Sequence, residues 1–151
     1  TGSRILKAKD FIDEERFMVT YGDGVSDVKI NDILKFHLKH SKVATMTSVQ
    51  PDGRFGSFEE QDGLVTSFLE KPKGDGSWIN GGFFIFEKSF FDYVKDDENS
   101  ILEEEPLPNL AIDRQLMTFK HKGFWKCMDT MKDKVELENI WKSKNAPWKI
   151  W

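Results

Sequence analysis

Between residues 17 and 49 the chain reads strand, glycine turn, helix, strand, and no other stretch restricts the fold as tightly. Phe17-Met18-Val19-Thr20-Tyr21 is a short β-branched and aromatic run, the composition of a buried strand. Gly22-Asp23-Gly24 ends it. Ile30, Ile33, Leu34 and Leu38 then fall on one stripe of a helix over about 30–40, with Asn31 or Asp27 available at its N-terminus. Val43 to Val49 is again strand-like. A crossover of this length joins two strands that run the same way in one sheet, so the chain must fold as layers of helix on sheet.

The flanking segments fit that class. Ile5, Ala8 and Ile12 lie at helical spacing in a first helix over 4–12, which Ser3 or Thr1 could cap. Residues 55–59 and 64–69 read as strands joined at Gln61-Asp62-Gly63, a hairpin signal. Trp78 to Phe86 is a long strand holding the pair Gly81-Gly82, which marks a bulge or a close approach. A short helix over 89–94, a capping-box pattern at Ser100 to Glu103, a restart near 109–114, a strand over 116–121 and a helix over 131–143 complete the order. The expected fold class is α/β with a mixed, mostly parallel sheet.

Composition excludes several functions. The 151 residues carry 22 Lys and Arg against 26 Asp and Glu, a net charge of -4, with no basic face for nucleic acid. The longest apolar run, Phe83 to Phe86, is far below the roughly 18 residues of a membrane span. Cys127 is the single cysteine, so no internal disulfide or cysteine-based zinc site can form, and a reducing, cytoplasmic setting is expected. The opening Thr1-Gly2-Ser3-Arg4 has neither an initiator Met nor the apolar core of a signal peptide, so the chain reads as a trimmed or processed piece.

Four places can carry chemistry. Asp23 follows a strand end, where α/β sheets bind ligands, and its glycine neighbours would let a phosphate approach a magnesium ion held there; the plain alternative is a turn. Asp129 or Thr130 can cap the last helix, but Asp129 beside Asp23 would complete a metal site if the two loops meet. Glu70 and Lys71 precede Pro72; a lysine there can neutralise phosphate, and a glutamate can accept sugar hydroxyls. Asn80 offers donors and acceptors, beside glycines that leave backbone amides open. The other candidates are weaker: His37 reads as a core-edge residue, His40 and His121 lack metal-spaced neighbours, Cys127 lacks a histidine partner, and Trp148 and Trp151 read as packing or a subunit contact.

Tyr21-Gly22-Asp23-Gly24-Val25, Gly53-Arg54-Phe55-Gly56, Glu70-Lys71-Pro72, Trp78-Ile79-Asn80-Gly81-Gly82-Phe83 and Phe124-Trp125 with Met128-Asp129-Thr130 occur in one order. In that order the chain resembles the sugar-phosphate nucleotidylyltransferases, along essentially its whole length, and the Gly22 to Val25 and Trp78 to Phe83 forms favour the cytidylyl branch. The resemblance implies a Rossmann-like nucleotidyltransferase sheet truncated at its N-terminus. Residues 1–151 would be the C-terminal part of a single domain whose Gly-Gly-x-Gly-Thr-Arg nucleotide loop has no counterpart here. It implies magnesium on Asp23 and Asp129, both catalytic, and the sugar phosphate on Lys71, also catalytic. The hexose would lie on Gly56, Glu70, Asn80 and Gly81, and the nucleotide near Thr1 and Arg4.

The implied reaction joins CTP and α-D-glucose 1-phosphate to CDP-glucose and pyrophosphate, within nucleotide-sugar and lipopolysaccharide biosynthesis, in a homo-oligomer of the full-length parent. One alternative is thymidylyl or uridylyl transfer to a sugar 1-phosphate. The other is a non-catalytic sugar-binding or interaction fragment that docks through Trp148 and Trp151. Without the missing loop, the isolated chain is expected to associate and to bind CTP weakly.

Overall fold

The computed structural model describes residues 1–53, 56–70, 73 and 77–149. Their strands are β1 (Arg16–Thr20), β2 (Gly24–Ser26), β3 (Ala44–Val49), β4 (Ser57–Gln61), β5 (Leu64–Leu69), β6 (Ile79–Glu87), β7 (Leu116–Lys120) and β8 (Trp125–Cys127). The helices are α1 (Gly2–Lys7), α2 (Ile30–His37), α3 (Pro106–Ile112) and α4 (Met131–Lys142). Two 3-10 segments, Lys9–Phe11 and Lys88–Tyr93, occupy the end of the expected first helix and the expected short helix after β6.

The main sheet has the order β1-β6-β3-β7. The expected crossover pair, β1 and β3, does share this sheet and a common direction, but the two are not neighbours, because β6 lies between them. β6 is antiparallel to β1, with Phe17 opposite Phe86 and Val19 opposite Phe84. Glu87 at the end of β6 donates its amide to Val43 at the start of β3, so that pairing is antiparallel too. Ala44 donates to Gln115 and His121 donates to Ser48, so residue numbers rise together along β3 and β7, the parallel register. Three strands thus run one way and β6 runs against them.

The described chain divides into two compact units. The first comprises 1–21, 29–47 and 82–119. Its core gathers Ala44, Phe84, Phe86, Phe90, Phe91, Val94, Leu102, Leu107 and Leu110. Phe86 stacks on Phe84 and Phe90, and Phe17 stacks on Phe91. Each buried aromatic withdraws about 150–250 Å² from water, which is where this unit's stability originates. The α2 stripe is narrower than its spacing predicts: Ile33 and His37 are buried, while Ile30 and Leu38 stay exposed. Neither Asn31 nor Asp27 caps α2; Lys29 occupies the cap position with no side-chain bond.

His37 is a buried polar node of this unit and not a core-edge residue. Its Nε2 lies 2.9 Å from Glu87 Oε1, which also accepts from Arg16, and its Nδ1 lies 2.7 Å from Thr45 Oγ1. His40 Nε2 reaches the same hydroxyl at 2.8 Å, and the Lys42 amide donates to His40 Nδ1. With both imidazoles neutral, the amide at one end and the carboxylate at the other are served by one set of donors: His40 Nε2–H to Thr45, Thr45 O–H to His37 Nδ1, and His37 Nε2–H to Glu87. Burial, the largest influence, pushes both below 6.5.

Gly82, at φ 77°, meets the close approach expected of the glycine pair: a Cβ there would stand 2.7 Å from Tyr21 Cδ2. Thr1 is the N-cap residue of α1 but makes no side-chain cap bond. Its hydroxyl instead donates to Glu103 at 2.7 Å and accepts the Leu102 amide. The capping-box pattern at Ser100 does not start a helix; α3 starts at Pro106, whose missing N–H costs nothing at a first helical position.

The second unit comprises 22–28, 48–81 and 120–151. It carries the β4–β5 hairpin, with Phe58 opposite Phe68 and a bulge at Glu59/Glu60. Asp62 at φ 52° and Gly63 at φ 83° form the tight two-residue turn their sequence predicts. The hairpin leaves Phe58, Leu64, Val65, Phe68 and Leu69 exposed. The second unit also carries the β2–β8 ribbon and α4. Trp148 packs on Phe124 at a ring separation of 5.2 Å. Trp151 lies outside the described residues. Among the described residues no helix is long and apolar enough to cross a membrane.

Candidate active site

The second unit contains most of the candidate residues. β2 and β8 form a two-stranded antiparallel ribbon of three rungs: Gly24 opposite Cys127, Val25 opposite Lys126 and Ser26 opposite Trp125. Read as a turn and a loop in the sequence, both segments are strands here. One residue beyond the last rung the Met128 amide donates to the Asp23 carbonyl at 2.8 Å. Asp23 and Asp129 therefore leave the same end of the ribbon on adjacent backbones, and both are exposed.

The capping alternative for Asp129 does not hold. Thr130 caps α4: its hydroxyl accepts the Asp133 amide, and the Asp133 carboxylate accepts the Thr130 amide. Asp129 instead accepts from the Cys127 thiol at 3.1 Å. Burial first, and then that carboxylate, push the Cys127 thiol up to about 11. That shift favours the protonated thiol at neutral pH and lowers its nucleophilicity.

Trp125 joins three of the sequence motifs. Its indole Nε1 donates to the Gly81 carbonyl at 2.8 Å. A Cβ on Gly24 would stand 3.7 Å from the same nitrogen and 3.9 Å from the Gly81 oxygen. The glycine after Asp23, the glycine after Asn80 and the tryptophan two residues before Cys127 therefore meet at one point. Asn80 is half-buried beside them at the start of β6, and Gly81 is fully buried. Trp78, two residues earlier, takes the Lys120 ammonium over its ring at 5.2 Å.

Gly56 and Glu70 flank the two ends of the hairpin. A Cβ on Gly56 would stand 3.2 Å from Glu70 Oε2 and 2.6 Å from Phe68 Cζ, so the glycine lets this carboxylate lie against the backbone. Lys71, with Arg54, Phe55 and Pro72, lies outside the described residues. Thr1 and Arg4 belong to the first unit, where Arg4 is exposed on α1.

The donor set suits a small hard cation. Among the described residues no group of three or more His, Cys, Asp and Glu side chains could hold a metal. Asp23 and Asp129, exposed on adjacent backbones, are hard oxygen donors that could hold a small divalent cation only with other ligands completing its shell. Sequence reasoning missed the indole bond of Trp125, the ribbon and the contact between His121 and Asp27 at 2.8 Å. A three-residue strand is too short for alternation to register, and no local pattern announces a side-chain bond across 94 residues of chain.

Residues 1–140 match the nucleotidyl transferase family, and the chain belongs to it. Over its whole length it is 49% identical to the glucose-1-phosphate cytidylyltransferase of Salmonella typhi. It is 40% identical to a Bacillus subtilis (strain 168) protein described as a probable glucose-1-phosphate cytidylyltransferase. The chain spans 59% of the length of each of these relatives. In fold it is similar to a solved structure from Bacillus anthracis described as a glucose-1-phosphate thymidylyltransferase in complex with a sucrose. The TM-score is 0.64 at 18% identity, covering 90% of this chain and 58% of that one.

Proposed function

We propose that the protein carrying this chain transfers a cytidylyl group from CTP to α-D-glucose 1-phosphate. A phosphate oxygen of the sugar phosphate attacks the α-phosphorus of CTP. The bond to the bridging oxygen breaks, pyrophosphate leaves, and CDP-glucose results. The nucleophile is already anionic, so the chemistry asks for alignment and charge neutralisation and needs no strong base. That demand agrees with the carboxylates, glycines and lysine that the sequence offers.

The observation that supports the reading is the Met128–Asp23 bond, which brings the Asp23 and Asp129 backbones together at one ribbon end. Asp23 and Asp129 would hold magnesium, which when bound offsets charge on the transferring phosphate. Lys71 would grip the sugar phosphate, and Glu70, Asn80, Gly81 and the Gly56 backbone would take the hexose hydroxyls. Arg4 would serve the nucleotide better than Thr1, whose hydroxyl is already engaged by Glu103 and Leu102. The same reading carries a cytoplasmic setting, a role in lipopolysaccharide precursor synthesis, small-molecule substrates with no nucleic acid, and a homo-oligomeric whole protein.

Incubating the protein with glucose 1-phosphate, magnesium and each of CTP, UTP and dTTP tests the proposal, with nucleotide sugars read by mass spectrometry. CDP-glucose as the main product is the expected result. A main product from UTP or dTTP moves the base assignment to the alternative branch, and no product from any of the three overturns the proposal.

A further inference from the structure

We infer that Asp27, His121 and Gly123 are positioning residues that lock the register of the β2–β8 ribbon and so hold the Asp23 and Asp129 backbones adjacent at its other end. This rests on the metal role proposed above. The ribbon has three rungs, and two short strands alone are not stable in water. Something must close each end. Among the described residues the carboxylate end carries the backbone bond from Met128 to Asp23, and Lys126 of β8 pairs with Glu136 of α4 at 2.6 Å.

The opposite end is built more heavily. The Phe124 carbonyl accepts the Asp27 amide at 3.2 Å and the Ser26 hydroxyl at 2.8 Å. His121 Nε2 lies 2.8 Å from Asp27 Oδ1 and 3.2 Å from the same carbonyl. Both of those partners are acceptors, so Nε2 carries the proton and donates. The Val28 amide donates to the Ser26 hydroxyl at 3.1 Å and holds that side chain in place. The His121 side chain is 12% exposed and that of Asp27 34%, so the contact is shielded from water on the histidine side. Gly123 makes room for it: a Cβ there would stand 2.4 Å from Asp27 Oδ1 and 2.6 Å from His121 Cε1. No side chain but hydrogen fits between these two groups.

The consequence concerns spacing. A slip of one residue in an antiparallel ribbon displaces one strand by about 3.4 Å and turns every side chain to the other face. A cation shared by Asp23 and Asp129, as proposed, would not tolerate such a displacement of one of them. The Asp27–His121 contact and the Phe124 carbonyl therefore fix, from the far end of the ribbon, which residue Asp23 faces. Neither Asp27 nor His121 needs to touch the ion.

The test compares Asp27→Ala, Asp27→Asn and Gly123→Ala with the unaltered chain. Asparagine keeps an oxygen that accepts from His121 Nε2–H; alanine does not. Two readouts are taken: hydrogen exchange at the Met128 amide, and Mn²⁺ affinity from water-proton relaxation. Asp27→Ala and Gly123→Ala should each speed Met128 exchange about tenfold or more and weaken Mn²⁺ binding by about 10–100-fold, while Asp27→Asn stays near the unaltered chain. Met128 exchange unchanged in a folded Asp27→Ala chain overturns the inference. So does Asp27→Asn behaving like Asp27→Ala. Faster Met128 exchange without any Mn²⁺ binding, even by the unaltered chain, supports the register lock and refutes the metal role instead.

Discussion

The carbonyl of Asp23 and the amide of Met128 meet at 2.8 Å, one residue past the last rung of a three-rung ribbon. That bond brings two loops, far apart along the chain, to one place, and it puts Asp129 one residue from the contact. If these carboxylates hold the ion as proposed, Asp23→Asn and Asp129→Asn should each lower Mn²⁺ or Mg²⁺ affinity by about tenfold or more, since each removes a negative charge from the site. Titration calorimetry of the two variants checks this, and retained affinity in either one removes that residue from the metal site.

Lys71 is expected to act as a compact charge on the sugar phosphate. Lys71→Ala in the catalytically competent protein should cost on the order of 2–4 kcal/mol in kcat/KM. Lys71→Arg should also lose activity, because a planar fork does not replace an ammonium. Steady-state kinetics with glucose 1-phosphate varied are the measurement. Unaltered kcat and KM in Lys71→Ala would count against the assignment.

Stability should fall as the solution is made acidic, for a reason located at His37 and Glu87. Burial, outweighing the hydrogen bond to Glu87, holds His37 below 6.5. The unfolded chain therefore takes up a proton there first, and stability present above about pH 6.5 is lost as pH falls. At Glu87 burial acts upward, but Arg16 and His37 more than offset it and hold the carboxyl below 4.5. Its contribution is present above 4.5 and is lost on further acidification, the same sign. Urea unfolding between about pH 7 and 5 should show a falling midpoint, and His37→Gln should flatten that slope. A slope unaffected by the substitution would place the titrating group elsewhere.

Trp125→Phe keeps an aromatic ring but removes the donor to Gly81. The carbonyl it served is buried, so the variant should lose about 1–2 kcal/mol of stability. Denaturant unfolding followed by far-UV circular dichroism measures it. A loss below about 0.5 kcal/mol would mean that water replaces the indole N–H.

Much of this was legible along the chain because the signals are local. The Asp62-Gly63 turn follows from the left-handed freedom of two neighbouring residues, and it holds the hairpin where the sequence placed it. Gly82 meets Tyr21 as the glycine pair implied, and Thr130 rather than Asp129 caps α4 within the range of alternatives the sequence allowed. Of the candidate site, Asp23 and Asp129 were legible as residue types near element ends. Their adjacency was not, because it depends on a ribbon too short to show a period.

By itself the sequence determined the α/β class, the order of the longer strands along the chain, the two-residue hairpin turn and the residue types available for chemistry. Each of these is set by side-chain periodicity or by turn residues within a few positions of one another. Tertiary structure alone decided that β6 enters between β1 and β3, that His37 is buried between Thr45 and Glu87, and that Trp125, Gly24 and Gly81 meet. Those choices are made by pairing between distant segments, where the burial of Phe84 and Phe86 and the satisfaction of backbone and indole donors select one partner among many that the local pattern leaves equivalent.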